Sequence, residues 1–261
     1  MNQPRVSISA RRRQRRSNKM LKTSILTGNS FIRAHIPTTR LMTQASLLRM
    51  LNLYGMVYIK PKHGSLGRGV IRISKQGTHY TSHAGFRKTT YTSFRALYAA
   101  ILRRTKRESY IVQRGIRSLR YEGNVYDFRV VVQRSPRGNF EVTGIAARIS
   151  QDGRVVSNGG GGGAVGGVSD LLTPHQRRIA IPRITKLSLA VMRQVRKYWP
   201  SLNEIGLDIA LDYDLKPWIL EYNTRPDHRM FVLLDERQIL ARIVHYGARY
   251  GRRYRLSLHR R

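Results

Sequence analysis

Apolar residues along the chain follow two rhythms, and the changes of rhythm predict its elements. Residues 56–60, Met-Val-Tyr-Ile-Lys, are rich in β-branched and aromatic side chains and are closed by Pro61, which predicts a strand. A glycine-bearing loop follows, and a strand resumes over 70–73, with another expected over 79–83. Ser93 then opens a different spacing, in which Phe94, Leu97 and Ile101 recur at helical intervals. An earlier helix is expected to carry Leu41, Ala45, Leu48 and Leu51 on one face, capped by Thr38 and Thr39. Beyond 110 the strands lengthen, covering 110–113, 126–133 and 140–149. The run from Gly159 to Gly163, with Gly166 and Gly167, suits neither a stable helix nor an ordinary strand. Thr173-Pro174 opens a long helix reaching about Tyr198, with a kink or break expected at Pro182. Strands over 205–212 and 218–222 and a helix over 239–250 complete the chain. Strands and helices alternate without the regular repeat of a doubly wound sheet, so the expected class is α+β.

Composition adds a partner class to this outline. With 261 residues, 41% of them hydrophobic, the chain can bury a core in one domain or two joined lobes. Against 49 Lys and Arg stand 14 Asp and Glu, a formal charge of +35. Such a field attracts nucleic acid, an anionic membrane surface or an acidic polymer without choosing among them. The absence of cysteine excludes disulfides and thiolate metal sites. No stretch is apolar enough to cross a bilayer and no signal peptide is evident, so a soluble, cytoplasmic protein is expected. The expected organisation is a disordered basic arm over 1–19, a smaller lobe over 20–115, a larger lobe over 116–250 and a basic tail over 251–261.

The few acids are not spread evenly. Glu204, Asp208, Asp212, Asp214, Glu221 and Asp227 fall in one short segment of an otherwise acid-poor chain. If the last two strands form a tight hairpin centred on Asp214-Leu215, Asp208 faces Glu221, and Asn223 projects on the same side. Two carboxylates and an amide oxygen then converge, as hard oxygen ligands for Mg²⁺ should. A surface hairpin with solvated acids is the competing reading, and the better one for Asp212 and Asp214; Asp227 is open. Asp-Leu is a weak two-residue turn, so the register could slip by one.

A second constellation lies earlier. Lys60 ends a strand at the mouth of a loop containing Gly64, Ser65, Gly67 and Gly69. Backbone N–H groups on such a loop can fold over phosphates while the lysine supplies a point charge. The order differs from a Walker loop, which puts its lysine after the glycines and opens a helix. A plain hairpin turn would also use the glycines.

Taken in order, these pieces resemble the ATP-grasp superfamily, and within it the YheC/YheD-like, spore-coat-associated proteins. The resembling stretches are Val57-Tyr58-Ile59-Lys60-Pro61 with the glycine loop, Tyr110-Ile111-Val112-Gln113-Arg114-Gly115-Ile116, Tyr126-Asp127-Phe128-Arg129-Val130, Ala146-Ala147-Arg148 with Asn158, Gly206-Leu207-Asp208-Ile209, and Leu220-Glu221-Tyr222-Asn223. The resemblance implies an ATP-grasp fold, in which two α+β lobes enclose ATP, and an ATP-dependent carboxylate–amine ligase working through an acyl phosphate with Mg²⁺. It implies that Gln113, Arg114, Gly115 and Ile116 form a hinge whose backbone reads adenine, and that Lys22 and Lys60 bind the nucleotide. Asp127 and Arg129 match an Asp-x-Arg pair of the glutamate-ligase-like members, with a local ion pair as the alternative. Arg148 would reach the γ-phosphate, with Asn158 near it. Substrates would be a carboxylate and an amine, such as an acidic peptide or polymer, and spore association follows from the resemblance alone. The other reading is a non-catalytic relative binding nucleic acid or another polyanion through its basic surface. Two departures from the family pattern are expected: these residues leave no room for the N-terminal α/β domain that ATP-grasp enzymes usually carry, and the glycine run is longer than the pattern.

Overall fold

The computed structural model describes residues 18–64, 67–106, 108–151 and 163–257. Ser65, Asn158, the glycines from 159 to 162 and nearly all of the N-terminal arm lie outside the described residues. The chain divides into two compact units, the first made of Met1–Ile25 with Thr38–Gly115 and the second of Leu26–Pro37 with Ile116–Arg261.

The first unit is built on an antiparallel sheet in the order β1-β6-β2-β3-β4-β5. Its strands are β1 (Thr39–Leu41), β2 (Met56–Pro61), β3 (Ile71–Gln76), β4 (His79–Ala84), β5 (Arg87–Tyr91) and β6 (Tyr110–Arg114). The helix α1 (Lys19–Thr27) opens the described chain, with the Asn18 side chain accepting from the Met20 and Leu21 amides. The helices α3 (Gln44–Tyr54) and α4 (Phe94–Thr105) pack on the sheet, and Leu47, Leu51, Val57, Ile59, Ile73, Leu97 and Val112 form the core between them. Ser93 caps α4 as expected, its hydroxyl accepting from the Ala96 amide. The cap of α3 is different from the one expected. Thr43 caps the helix, because Thr39 is drawn into β1, paired with Gln113. The buried stripe is therefore Leu47, Met50 and Leu51, while Leu41 sits exposed on the strand.

The second unit has the order β10-β9-β8-β11-β12, with β7 (Arg120–Tyr121) pairing to β8. Here β8 is Asn124–Arg134, β9 Phe140–Ile149, β10 Ala164–Gly166, β11 Glu204–Leu211 and β12 Pro217–Asn223. Two short helices, α2 (Ser30–Arg33) and α5 (Val168–Leu171), accompany the long α6 (Pro174–Arg196). Thr173 and Gln176 form a capping box at the start of α6, with Pro174 in the first turn. The helix runs unbroken through Pro182. Pro182 is exposed, so the Arg178 carbonyl that it leaves without an amide donor lies on the solvated side. A 3-10 turn at Arg229–Leu233 and helix α7 (Arg237–Arg249) pack on β8 and β9, where Phe231, Leu234 and Ile243 cover Val131 and Ala146. Gly144 is required at this contact, since a Cβ there would come within 2.9 Å of Ile239 and Ile243 and 3.0 Å of Phe231. No helix among the described residues is long and apolar enough to cross a membrane.

Candidate active site

Four neighbouring strands of the second unit bring charged side chains to one face. Asp127 pairs with Arg148 across β8 and β9, Arg129 pairs with Asp208 across β8 and β11, and Asp208 pairs with Glu221 across β11 and β12. Directly paired antiparallel residues share a face, and positions two apart on a strand share it as well. Asp127, Arg129, Arg148, Asp208, Glu221 and Asn223 therefore line the same side of the sheet. Gly206, opposite Asn223, belongs to this face too, and a Cβ there would meet Pro226 at 2.7 Å and the Arg129 side chain at 3.4 Å.

The charges form a chain. Arg148 donates through Nε to Asp127 Oδ1 at 2.8 Å, and its Nη2 stands 3.0 Å from Asp208 Oδ2. Arg129 Nε donates to Asp208 Oδ1 at 2.8 Å, while its Nη1 donates to the Asp227 carbonyl at 3.3 Å. Asp127 and Arg129 thus each form an ion pair across the ladder, with Arg148 and Asp208 respectively. Adjacent strand positions of the i, i+2 kind stand side by side, and each meets its partner across the ladder. Burial alone would raise the Asp208 pKa, but Arg129 and Arg148 outweigh it and bring it down to about 2. Burial likewise opposes the charge on Arg148, and Asp127 and Asp208 more than restore it. Both groups are held fully charged at neutral pH.

The hairpin places Asp208 opposite Glu221 by an unexpected route. Around the turn the pairs are Leu211 with Pro217, Ala210 with Trp218 and Ile209 with Ile219, one residue away from the expected register. A bulge between Asp208 and Ile209 then takes up Leu220, and the expected pairs Asp208–Glu221 and Gly206–Asn223 follow. The slip has its cause in Asp212, which is not a solvated acid. Its Oδ1 accepts from the Asp214 and Lys216 amides and its Oδ2 accepts from Trp218 Nε1, closing a five-residue turn with Leu215 at φ +56°. Asp227 is bound to Arg229 at the start of the 3-10 turn and lies outside the ladder.

This donor set fits a divalent cation. Asp208 is ionised, each of its oxygens keeps a lone pair beyond the one shared with an arginine, and Glu221 and Asn223 add oxygens on the same face. At the paired positions the carboxylates of Asp127, Asp208 and Glu221 stand with the guanidinium groups of Arg129 and Arg148. No group of three or more His, Asp or Glu side chains able to hold a metal occurs among the described residues, so Asn223 is needed to complete a set of three.

The predicted residues of the first unit gather at β2 and β6. Tyr58 pairs with Gln113 and Lys60 with Ile111. Lys60 Nζ donates to Gln113 Oε1 at 2.7 Å, and Gln113 Nε2 donates to Thr39 Oγ1 at 3.0 Å. Thr39, expected as a helix cap, serves instead as the acceptor for Gln113. The Arg114 guanidinium lies over the Tyr54 ring at 5.1 Å. The Arg114 amide donates to the Thr38 carbonyl and the Gly115 amide to the Met56 carbonyl. In the glycine loop, Gly64, Gly67 and Gly69 all adopt positive φ, and a Cβ at Gly69 would run into Pro61 at 2.8 Å and Tyr110 at 2.9 Å. Lys22 is buried on α1, whose neighbouring Lys19 donates to the Gly64 carbonyl at 2.8 Å.

One cluster was missed. Buried Glu204 accepts from Tyr250 Oη at 3.1 Å, from Arg252 Nε at 3.0 Å and from Tyr254 Oη, with His228 Nε2 at 3.4 Å. Gln133 Nε2 donates to the Tyr250 and Tyr254 hydroxyls. The described part of the expected basic tail, residues 251–257, thus folds back onto β11, with Tyr254 seated against Gly247. His228, in the loop that precedes the 3-10 turn, is buried within this cluster. The four-residue spacing of Tyr246, Tyr250 and Tyr254 is the sequence signal for this cluster.

The family model for YheC/D-like ATP-grasp matches residues 13–253. The chain belongs to the YheC/D-like ATP-grasp family. Among curated relatives of this family it is 26% identical over 206 residues to the endospore coat-associated protein YheD of Bacillus subtilis, covering 75% of this chain and 45% of YheD. It is 24% identical over 223 residues to YheC of the same organism, covering 80% and 60%. This chain thus spans about half the length of the curated relatives it matches. Solved structures with the same fold include an L-amino acid ligase from Bacillus licheniformis, with TM-score 0.52, 18% identity and coverage of 84% and 43%. N5-carboxyaminoimidazole synthetase from Staphylococcus aureus, complexed with ADP, gives TM-score 0.54 at 8% identity, covering 92% and 53%. The ATP-grasp ligase PsnB, complexed with minimal precursor, Mg and ADP, gives 0.50 at 15%, covering 93% and 62%.

Proposed function

We propose that this family member is an ATP-dependent ligase that activates a carboxylate as an acyl phosphate and transfers it to an amine. The observation that carries the reading is the array on the second unit's sheet, where Asp208, Glu221 and Asn223 stand beside Arg129 and Arg148 on one face. In the proposed reaction a carboxylate oxygen attacks the γ-phosphorus of ATP, the bond to the β-phosphate oxygen breaks and ADP leaves. The amine nitrogen then attacks the acyl carbon, loses a proton, and expels phosphate. Arg148, held charged by its two carboxylates, offsets negative charge on the phosphoryl group in flight. Lys60, aimed by Gln113, contributes to nucleotide binding, as do the loop glycines and Lys22. Asp208, Glu221 and Asn223 would hold Mg²⁺, which when bound supplies Lewis-acid neutralisation of the phosphates. Positioning and electrostatics carry the catalysis, and no side-chain nucleophile is required. Support comes from family membership and from ligases of this fold solved with ADP, one of them with Mg. The naming of YheC and YheD supports a role associated with the spore.

The test is phosphate release from ATP across a panel of amino acids, peptides and polyanions, with Glu221→Ala as the control. Turnover in the native chain and its loss in a folded Glu221→Ala variant are expected; unchanged ATP consumption in that variant would overturn the site. The second reading, an anion binder without turnover, is favoured by the first unit, where Glu108 is the only acidic residue. It predicts binding that falls steeply with salt and ignores ATP.

A further inference from the structure

A groove of about 380 Å³ lies in the first unit between the edge strand β1 and helix α3. Arg40 from the strand and Arg49 from the helix line it, with Met50 and Leu53 as apolar surface and Thr38 and Tyr54 at its wall. Arg40 and Arg49 are exposed, and neither has an ion-pair partner among the described residues. The wall is fixed: Tyr54 Oη donates to Thr38 Oγ1 at 3.1 Å, and the Arg114 guanidinium covers the Tyr54 ring. Leu53 is 66% exposed, an apolar side chain left uncovered beside two cations.

We infer that this groove seats an acidic polypeptide segment, with carboxylates on Arg40 and Arg49 and side-chain methylenes on Met50 and Leu53. Three observations select that occupant. The planar guanidinium fork matches a carboxylate in two parallel hydrogen bonds. The apolar surface next to the cations suits a glutamate side chain, whose charged end and two methylenes need both environments. Single-stranded nucleic acid binds by stacking its bases on aromatic rings, and the groove's lining offers one ring, that of Tyr54, with Arg114 over one face. The composition of the unit favours an anionic occupant as well, since Glu108 is its single acid. Thr39, the neighbour of Arg40 on β1, is bonded to Gln113, so an occupant of the groove would lie one residue from the Lys60–Gln113–Thr39 chain. The inference stands independently of the ligase reading.

The test is fluorescence anisotropy of the full chain with a labelled glutamate-rich decapeptide, its glutamine counterpart and a single-stranded oligonucleotide of equal charge, at near-physiological salt. Arg40→Gln/Arg49→Gln is compared with Arg87→Gln/Lys88→Gln, which removes two exposed charges from β5 at the opposite edge of the same sheet. The groove variant should lose at least about tenfold in peptide affinity and the control less than about threefold, while oligonucleotide binding falls equally in both. Equal peptide losses in the two variants, or no saturable peptide binding, would overturn the inference. A selective loss of oligonucleotide binding in the groove variant would overturn the choice of occupant.

Discussion

Replacing Asp208 by Asn separates the structural from the catalytic use of the charged face. Asn keeps the size of Asp but replaces one oxygen by an amide that donates toward guanidinium N–H groups. Arg148 retains Asp127 at 2.8 Å; Arg129, whose side chain is 9% exposed, retains among the described residues the Asp227 carbonyl at 3.3 Å. Removing one partner of a buried ion pair costs about 3–5 kcal/mol, because the remaining charge is stranded away from water. With Arg148 still paired, the lower end applies, about 3 kcal/mol. For a unit of this size each kcal/mol moves the midpoint by about 2–4 °C, so Asp208→Asn should melt about 6–12 °C below the native chain. Glu221→Gln is the comparison. Glu221 is only partly buried, so its replacement should change stability by less than about 1 kcal/mol while removing Mg-dependent ATP binding. Thermal melts followed by circular dichroism and titration calorimetry with Mg-ATP read the two effects. An Asp208→Asn melt within about 2 °C of the native chain would refute the reasoning, and so would an equal loss of stability in Glu221→Gln.

Three further outcomes are expected. The Asp208 carboxyl moves from its ordinary 3.8 to about 2 on folding, so its contribution, on the order of 2 kcal/mol, is full above about pH 5 and is lost as pH falls through 4 toward 2. Chemical denaturation between pH 6 and 3 should show that decline in the native chain and a flatter profile in Asp208→Asn. Lys60→Met should raise KM for ATP at least about tenfold, measured by phosphate release, with a melting temperature close to native. Gly144→Val should cost about 1–3 kcal/mol in urea denaturation, since even its Cβ would stand 2.9 Å from Ile239 and Ile243.

Much of this was legible because the chain is locally consistent. Ser93 and Thr173 each precede a helical run and each caps it, and the strand expected over 140–149 appears as β9 with the same bounds. The opposition of Asp208 and Glu221 was legible from spacing, although the turn that was to produce it differs. Side-chain bonding at long range was not legible. Nothing local tells Thr39 that Gln113 will draw it into a sheet, or tells Asp212 that Trp218 and two amides will make it the organiser of a turn. Likewise the spacing of Tyr250 and Tyr254 cannot reveal that Glu204, 46 and 50 residues earlier, awaits their hydroxyls. Pro182 shows the same limit in reverse, since a helix rule that holds on average yields where the affected carbonyl is wet.

The bulge at Leu220 gives the last hairpin two masters. Its tip answers to Asp212 and the chemistry of a short loop, whereas its base, which bears Glu221 and Asn223, is fastened to a strand already clamped by arginine. A single surplus residue lets these two ends disagree without conflict, as slack in a belt lets one pulley shift while the other keeps time. Loop variation around Tyr213 should therefore pass unnoticed by the carboxylates, and the apex of this ribbon is a natural place for the lineage to lengthen, decorate or tag the protein.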